Sequence, residues 1–162
     1  ALQGGAGVGK VLQVVQVAKT DTFSAASQAW VDVPGLSIAI TPTSVTSKIL
    51  VSFSVNWCSN AHADLKIVRN STDIALGDAA GSRISATSHM YRGFSNGVYD
   101  IPTASMMWLD SPATTSSTIY KIQVATPYSA AYYVYINMTQ NDADGSYNGR
   151  VVSTITLMEI AA

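Results

Sequence analysis

The sequence is poor in cysteine, in charge and in long apolar runs, and each shortage excludes something. Cys58 is the only cysteine among 162 residues, so no disulfide forms within the chain and compartment cannot be read from cysteine use. It ends VSFSVNWC, where a half-buried thiol is expected; a nucleophile would need a histidine delivered by the fold. Charged residues make up 12%, about half the usual share, and Ser and Thr fill much of the gap. The basic residues are scattered at Lys10, Lys19, Lys48, Lys66, Lys121, Arg69, Arg83, Arg92 and Arg150, with a net charge of −1. Nucleic-acid binding needs a concentrated basic patch, so no nucleic-acid partner is expected. No apolar run approaches the ~20 residues of a membrane span, and no signal-peptide pattern is seen, so membrane insertion is not expected. A surface with so little charge suits burial against other chains, whose interface cores are depleted in charge.

Chemistry-bearing motifs are scarce too. GGAGVGKV (4–11) has the spacing of a phosphate-binding loop. It lacks the Ser or Thr after the Lys that holds Mg²⁺, and VLQVVQV behind it is β-branched where a helix is required. No nucleotide or other cofactor is expected, and Lys10 reads as a strand-edge charge. NDADGSYNGR fails the EF-hand pattern: counting from Asp142, the sixth residue is Tyr147, not Gly, and the twelfth is Ser153, not Glu. An Asp- and Gly-rich turn is the simpler reading. Glycoside hydrolysis needs two carboxyls flanking one bond. Glu159 is the single Glu, embedded in a terminal strand, and no spacing pairs it with an Asp, so no catalytic residue is assigned. His62 and His89 have no metal-ligand spacing and read as solvent-facing loop residues, although a trimer could gather three copies of one His on its axis. No metal site is assigned. Asn70-Ser71-Thr72 and Asn137-Met138-Thr139 match the glycosylation sequon by pattern.

What the sequence does have is alternation. KILVSFSVNW puts Ile49, Val51, Phe53, Val55 and Trp57 on one face, with Lys48, Ser52, Ser54 and Asn56 on the other. LSIAIT and TIYKIQVA repeat the period. AYYVYINMT and STITLMEI are apolar on both faces and are expected to be covered on both. DLKIVR and TDIAL read as a strand pair joined at Asn70-Ser71. Turn-rich clusters punctuate these runs, and no segment carries a helical stripe. The expectation is an all-β, antiparallel β-sandwich of eight to ten strands, jelly-roll-like, with residues 78–105 the least regular. Residues 1–9 read as a Gly-rich lead-in and residues 10–162 as one domain.

Several of these runs together carry a resemblance. WLDSPATTSSTIYKIQV (108–124) and STITLMEI (153–160), with GKVLQVVQ, the Trp30 region through DVPGLSIAITP, and TSKILVSFSV, resemble a domain at the C-terminus of bacteriophage fibre and other virion structural proteins, especially of marine phages. The resemblance runs from about Gly9 to Ala162 and departs between about Asn60 and Ala104. It implies a homotrimeric β-sandwich head at a fibre end, joined through its N-terminal side to other virion proteins. It also implies attachment to a host surface receptor such as a glycan, with the virion as its location. A structural connector or decoration domain of the tail, neck or capsid is the alternative, and a polysaccharide depolymerase the third.

For recognition the sequence offers HMYRGFSNGVYD, where Tyr91, Phe94 and Tyr99 alternate with Arg92, Asn96 and Asp100. Aromatic rings stack on sugar faces while such polar groups hydrogen-bond to hydroxyls. A second patch is expected from Tyr128 together with Tyr147, Asn148 and Arg150. The competing reading is that the rings anchor a long loop on the core.

Overall fold

The computed structural model describes residues 9–91 and 99–162. Among them there is no helix, and the alternating segments form strands: β1 (Val11–Lys19), β2 (Phe23–Ala25), β3 (Val31–Ile40), β4 (Lys48–Ser59), β5 (His62–Arg69), β6 (Thr72–Ile74), β7 (Ser88–Tyr91), β8 (Thr103–Asp110), β9 (Thr118–Ala125), β10 (Val134–Ile136) and β11 (Ser153–Ile160). They make two antiparallel sheets. In three places two short strands follow one another along the same neighbour: β10 and β11 along β4, β2 and β1 along β10 and β11, and β7 and β6 along β5. Counted by position, the first sheet runs β8, β4, β11/β10, β1/β2 and the second β3, β9, β5, β6/β7. Eight positions in this order are a jelly roll, the all-β sandwich expected from the alternation.

The period-two faces explain the core. Ile49, Val51, Phe53, Val55 and Trp57 of β4 all point inward and are buried. They meet Leu36 and Ile40 of β3, Leu65 and Ile67 of β5, and Tyr120, Ile122 and Val124 of β9 across the sandwich. Each fully buried large apolar side chain contributes roughly 1.5–3 kcal/mol. Proline and glycine inside β3 sit at a break in the β3–β9 register between Asp32 and Ser37, with Gly35 at φ 81°. A bulge is where a strand tolerates both the missing donor and the positive φ.

Polar clasps tie the layers at one end of the sandwich. Arg69 of β5 donates to both oxygens of Asp110 on β8, at 2.9 and 2.8 Å, and the buried Tyr120 hydroxyl donates to the same carboxylate at 2.7 Å. Burial, and then the Asp110 charge, push the Tyr120 phenol well above its usual range. Glu159 has no exposed surface, and its carboxylate accepts from Thr43 N and Oγ1 and from Gln13 Nε2 at 2.6–2.7 Å. Burial alone would raise its pKa; these donors outweigh it and bring the group down to about 2.

A third polar node lies inside the first sheet. Asn137, at φ 62° and fully buried, marks the break between β10 and β11. Its amide donates to Lys19 O at 2.7 Å and Asp21 O at 3.0 Å, on the facing break between β1 and β2. Its Oδ1 accepts from Ser153 Oγ at 2.6 Å, and Ser153 Oγ accepts from Asn56 N at 2.9 Å. Residues 138–152 leave the sheet at this node and return to it. The sequon at Asn137 is thus closed to modification.

Several expectations need correction. Within one chain STITLMEI turns Ile155, Leu157 and Glu159 inward and leaves Met158 and Ile160 half-buried on the outer face, whose cover would have to come from another chain. Val134 and Ile136 of β10 point inward, and Tyr133 stays exposed on its other face. Cys58 is wholly rather than half buried, because the outer side of β4 is overlaid there; its Sγ lies 3.4 Å from Met138 O. At the start of the chain only Gly9 of the Gly-rich lead-in falls within the described residues. A Cβ on Gly9 would run into the Ile160 side chain, and Lys10 O accepts from Ala161 N at 2.9 Å. Lys10 therefore continues the β1–β11 ladder.

Candidate recognition site

The connections sort by end. Strand β1 begins and β11 ends at the same end, with the 41–47, 70–71 and 111–117 turns. Among the described residues the opposite end carries the connections 60–61, 99–102, 126–133 and 137–152. Most of the described recognition candidates fall there.

On β5 and β7 alternation places His62 and Asp64, and His89 and Tyr91, on the outer face of the second sheet, because Ala63, Leu65 and Met90 point into the core. The two strands pair in register, His62 opposite Tyr91 and Asp64 opposite His89. His62 is the hub. Its ring centroid lies 4.4 Å from that of Tyr91, 5.3 Å from Tyr128 and 5.9 Å from His89. Tyr128 in turn stacks on Tyr132 at 5.8 Å. Beside them His62, Asp64, Ser82, Arg83, His89 and Tyr128 line a cavity of about 520 Å³, within the range of small-ligand sites.

The polar side of the cavity is built on a buried carboxylate. Asp64 is 2% exposed, and His89 Nδ1 lies 2.8 Å from its Oδ1. A carboxylate next to Nδ1 selects the tautomer with the proton on that nitrogen, which leaves Nε2 as an acceptor in the neutral ring. Arg83 reaches the cavity from the 75–87 excursion, whose neck is closed by Gly77 N donating to Ala86 O. Its Nη1 donates to Ala80 O at 3.3 Å, leaving most of its donors for other partners.

Of the candidates read from sequence, Tyr91 and Tyr128 thus each meet the His62 ring. Arg92, Phe94 and Asn96 lie outside the described residues. Tyr99 and Asp100 are exposed, and the Tyr99 ring meets Tyr147 edge-on at 5.4 Å. The expected grouping of Tyr128 with Tyr147 is therefore replaced: Tyr128 meets His62 and Tyr132, and Tyr147 meets Tyr99. Asn148 and Arg150 serve their own loop. Asn148 Nδ2 donates to Ala143 O at 2.7 Å, and its Oδ1 is 3.0 Å from Thr139 Oγ1. Arg150 pairs with Asp142, so a guanidinium already neutralises the turn that resembled a calcium loop. Among the described residues no group of three or more His, Cys, Asp or Glu could hold a metal.

His62, Asp64, Arg83 and His89 were missed as site residues. His62 and His89 are strand residues rather than loop residues; His89 is exposed as expected, His62 is half-buried, and both line the same cavity. The signal was present in HAD and HMY, where residues two apart share a face of a strand. The pairing of these two strands, 25 residues apart at Asp64 and His89, was not legible.

No protein-family model matches the chain, and no curated protein matches it.

Proposed function

We propose that this chain is the attachment head of a phage fibre, a virion structural domain that binds a glycan on the host surface. The observation that carries this reading is polarity. The ends of β1 and β11 lie together, away from the cavity, so a preceding shaft would join there. Tyr91 and His62 sit toward the other end on the paired strands β5 and β7, and Tyr128 reaches the cavity from the 126–133 connection. Exposed rings above a cavity with a carboxylate, two imidazoles and a guanidinium match the chemistry of sugar faces and hydroxyls.

The head assembles as a homotrimer through the outer face of the first sheet. The cross-strand register lines up Val14, Met158, Leu50 and Leu109 in one row across all four strands of that face. Val14 and Leu109 are more than half exposed, and Met107 on β8 is 71% exposed. The occupant is a second copy because this face is almost without charge: beyond Lys48 at its rim it offers Thr, Ser, Gln and Asn. Such a surface has nothing to pair with a charged partner and suits a self-complementary core. It also lies next to the start of β1, where three chains leaving one shaft must be close.

Binding of the purified domain to host cells tests the function. Tyr128→Ala removes a 71% exposed ring and so spares the core; it is expected to lose most cell binding while keeping the wild-type mass. Full binding by both Tyr128→Ala and Tyr91→Ala would remove the cavity from the mechanism. No binding by the wild type would favour a connector domain docked among other virion proteins.

A further inference from the structure

Resting on the attachment reading, the polar groups of the cavity narrow its ligand further. Asp64 is almost fully buried, yet it lines the cavity, and only its Oδ1 is taken by His89. No donor among the described residues reaches Oδ2. What is accessible of the carboxylate lies at the cavity, where a ligand donor can reach Oδ2. His89 Nε2 adds a second acceptor, since Nδ1 faces Asp64. Arg83 supplies donors from the opposite wall.

We infer that the cavity takes an uncharged pyranose with free vicinal hydroxyls. The ring lies against Tyr128, and neighbouring hydroxyls donate to Asp64 Oδ2 and His89 Nε2 while accepting from Arg83. A hydroxyl both donates and accepts, which is what two acceptors facing one donor group require. A carboxylated sugar fits worse. Its anion would meet Arg83 but would also be brought close to the Asp64 carboxylate, a like charge in the same cavity. A sugar whose hydroxyls are acylated loses the donors.

The test is binding of the intact protein to immobilised oligosaccharides ending in glucose, galactose or mannose, beside the same chains ending in glucuronate or galacturonate. At least one neutral set binds, and the uronates bind about tenfold more weakly or not at all. Asp64→Asn weakens the neutral sugar by about tenfold or more, because the amide places a donor where an acceptor is needed. Tyr128→Ala weakens it also. Arg83→Ala, an exposed change, does the same and controls for any folding defect in Asp64→Asn. Tighter binding of uronates, unchanged binding in Asp64→Asn and Arg83→Ala, or no sugar bound at all overturns the inference. In each case binding to host cells still decides separately whether the domain is an attachment head.

Discussion

The two sheets turn opposite characters outward. The outer face of the first sheet presents Val14, Met158, Leu50, Leu109 and Met107 amid uncharged polar residues. The outer face of the second is laced with charge. Lys121 pairs with Asp32 at 2.9 Å, Lys66 with Asp73 at 2.7 Å beneath the Trp30 ring, and His89 with Asp64 at 2.8 Å. Both faces come from the same period-two pattern and cover one core. The difference shows that a chain with 12% charged residues has not thinned its charge evenly. It has withdrawn charge from one side, as a subunit contact requires, and kept it on the side that carries the cavity.

The largest expected effect breaks this asymmetry directly. Leu109→Asp puts a charge in the middle of the apolar row; sedimentation should show the mass falling to about one third, with the sandwich intact. A variant that stays trimeric would move the contact elsewhere. Next comes Asn137→Ala, which tests whether the first sheet depends on its internal polar node. It strips donors from Lys19 O and Asp21 O and leaves a non-glycine residue at positive φ, a loss of about 2–4 kcal/mol read by denaturant unfolding.

Glu159→Gln sharpens the comparison by pH. The folded-state pKa of Glu159 is depressed to about 2 from 4.5, so its contribution is complete above 4.5 and fades as pH falls toward 2. The variant is therefore less stable than the wild type near neutral pH, and the gap closes on acidification through that window. The smallest effect is for Lys10→Ala. It lies in the β1–β11 ladder, so melting temperature and cell binding should both stay within error of the wild type, and ATP should not bind to either protein.

Most of the frame was legible in the sequence because alternation is a local property. The inward rows of KILVSFSVNW and TIYKIQVA are the observed core, and the Asn70-Ser71 link joins β5 to β6, with Asn70 at φ 52°. Both faces of STITLMEI are apolar, so its sequence does not say which one meets the core; the register shows that Met158 belongs to the outer row. Half of the site was legible: Tyr91 and Tyr128 were chosen as amphipathic rings near turns. The polar half was not, because His62, Asp64, Arg83 and His89 come from three separate segments and meet only through the β5–β7 pairing and the folded-over 75–87 excursion.

The most direct test is competition for adsorption. On the proposed attachment reading, purified protein is mixed with host cells before virus is added, and the rate at which free virus disappears is measured. Wild-type protein should slow adsorption in proportion to its concentration, and Tyr128→Ala of the same mass and stability should not. If neither protein slows adsorption, or both do equally, the cavity at the end remote from the chain termini is not the attachment site.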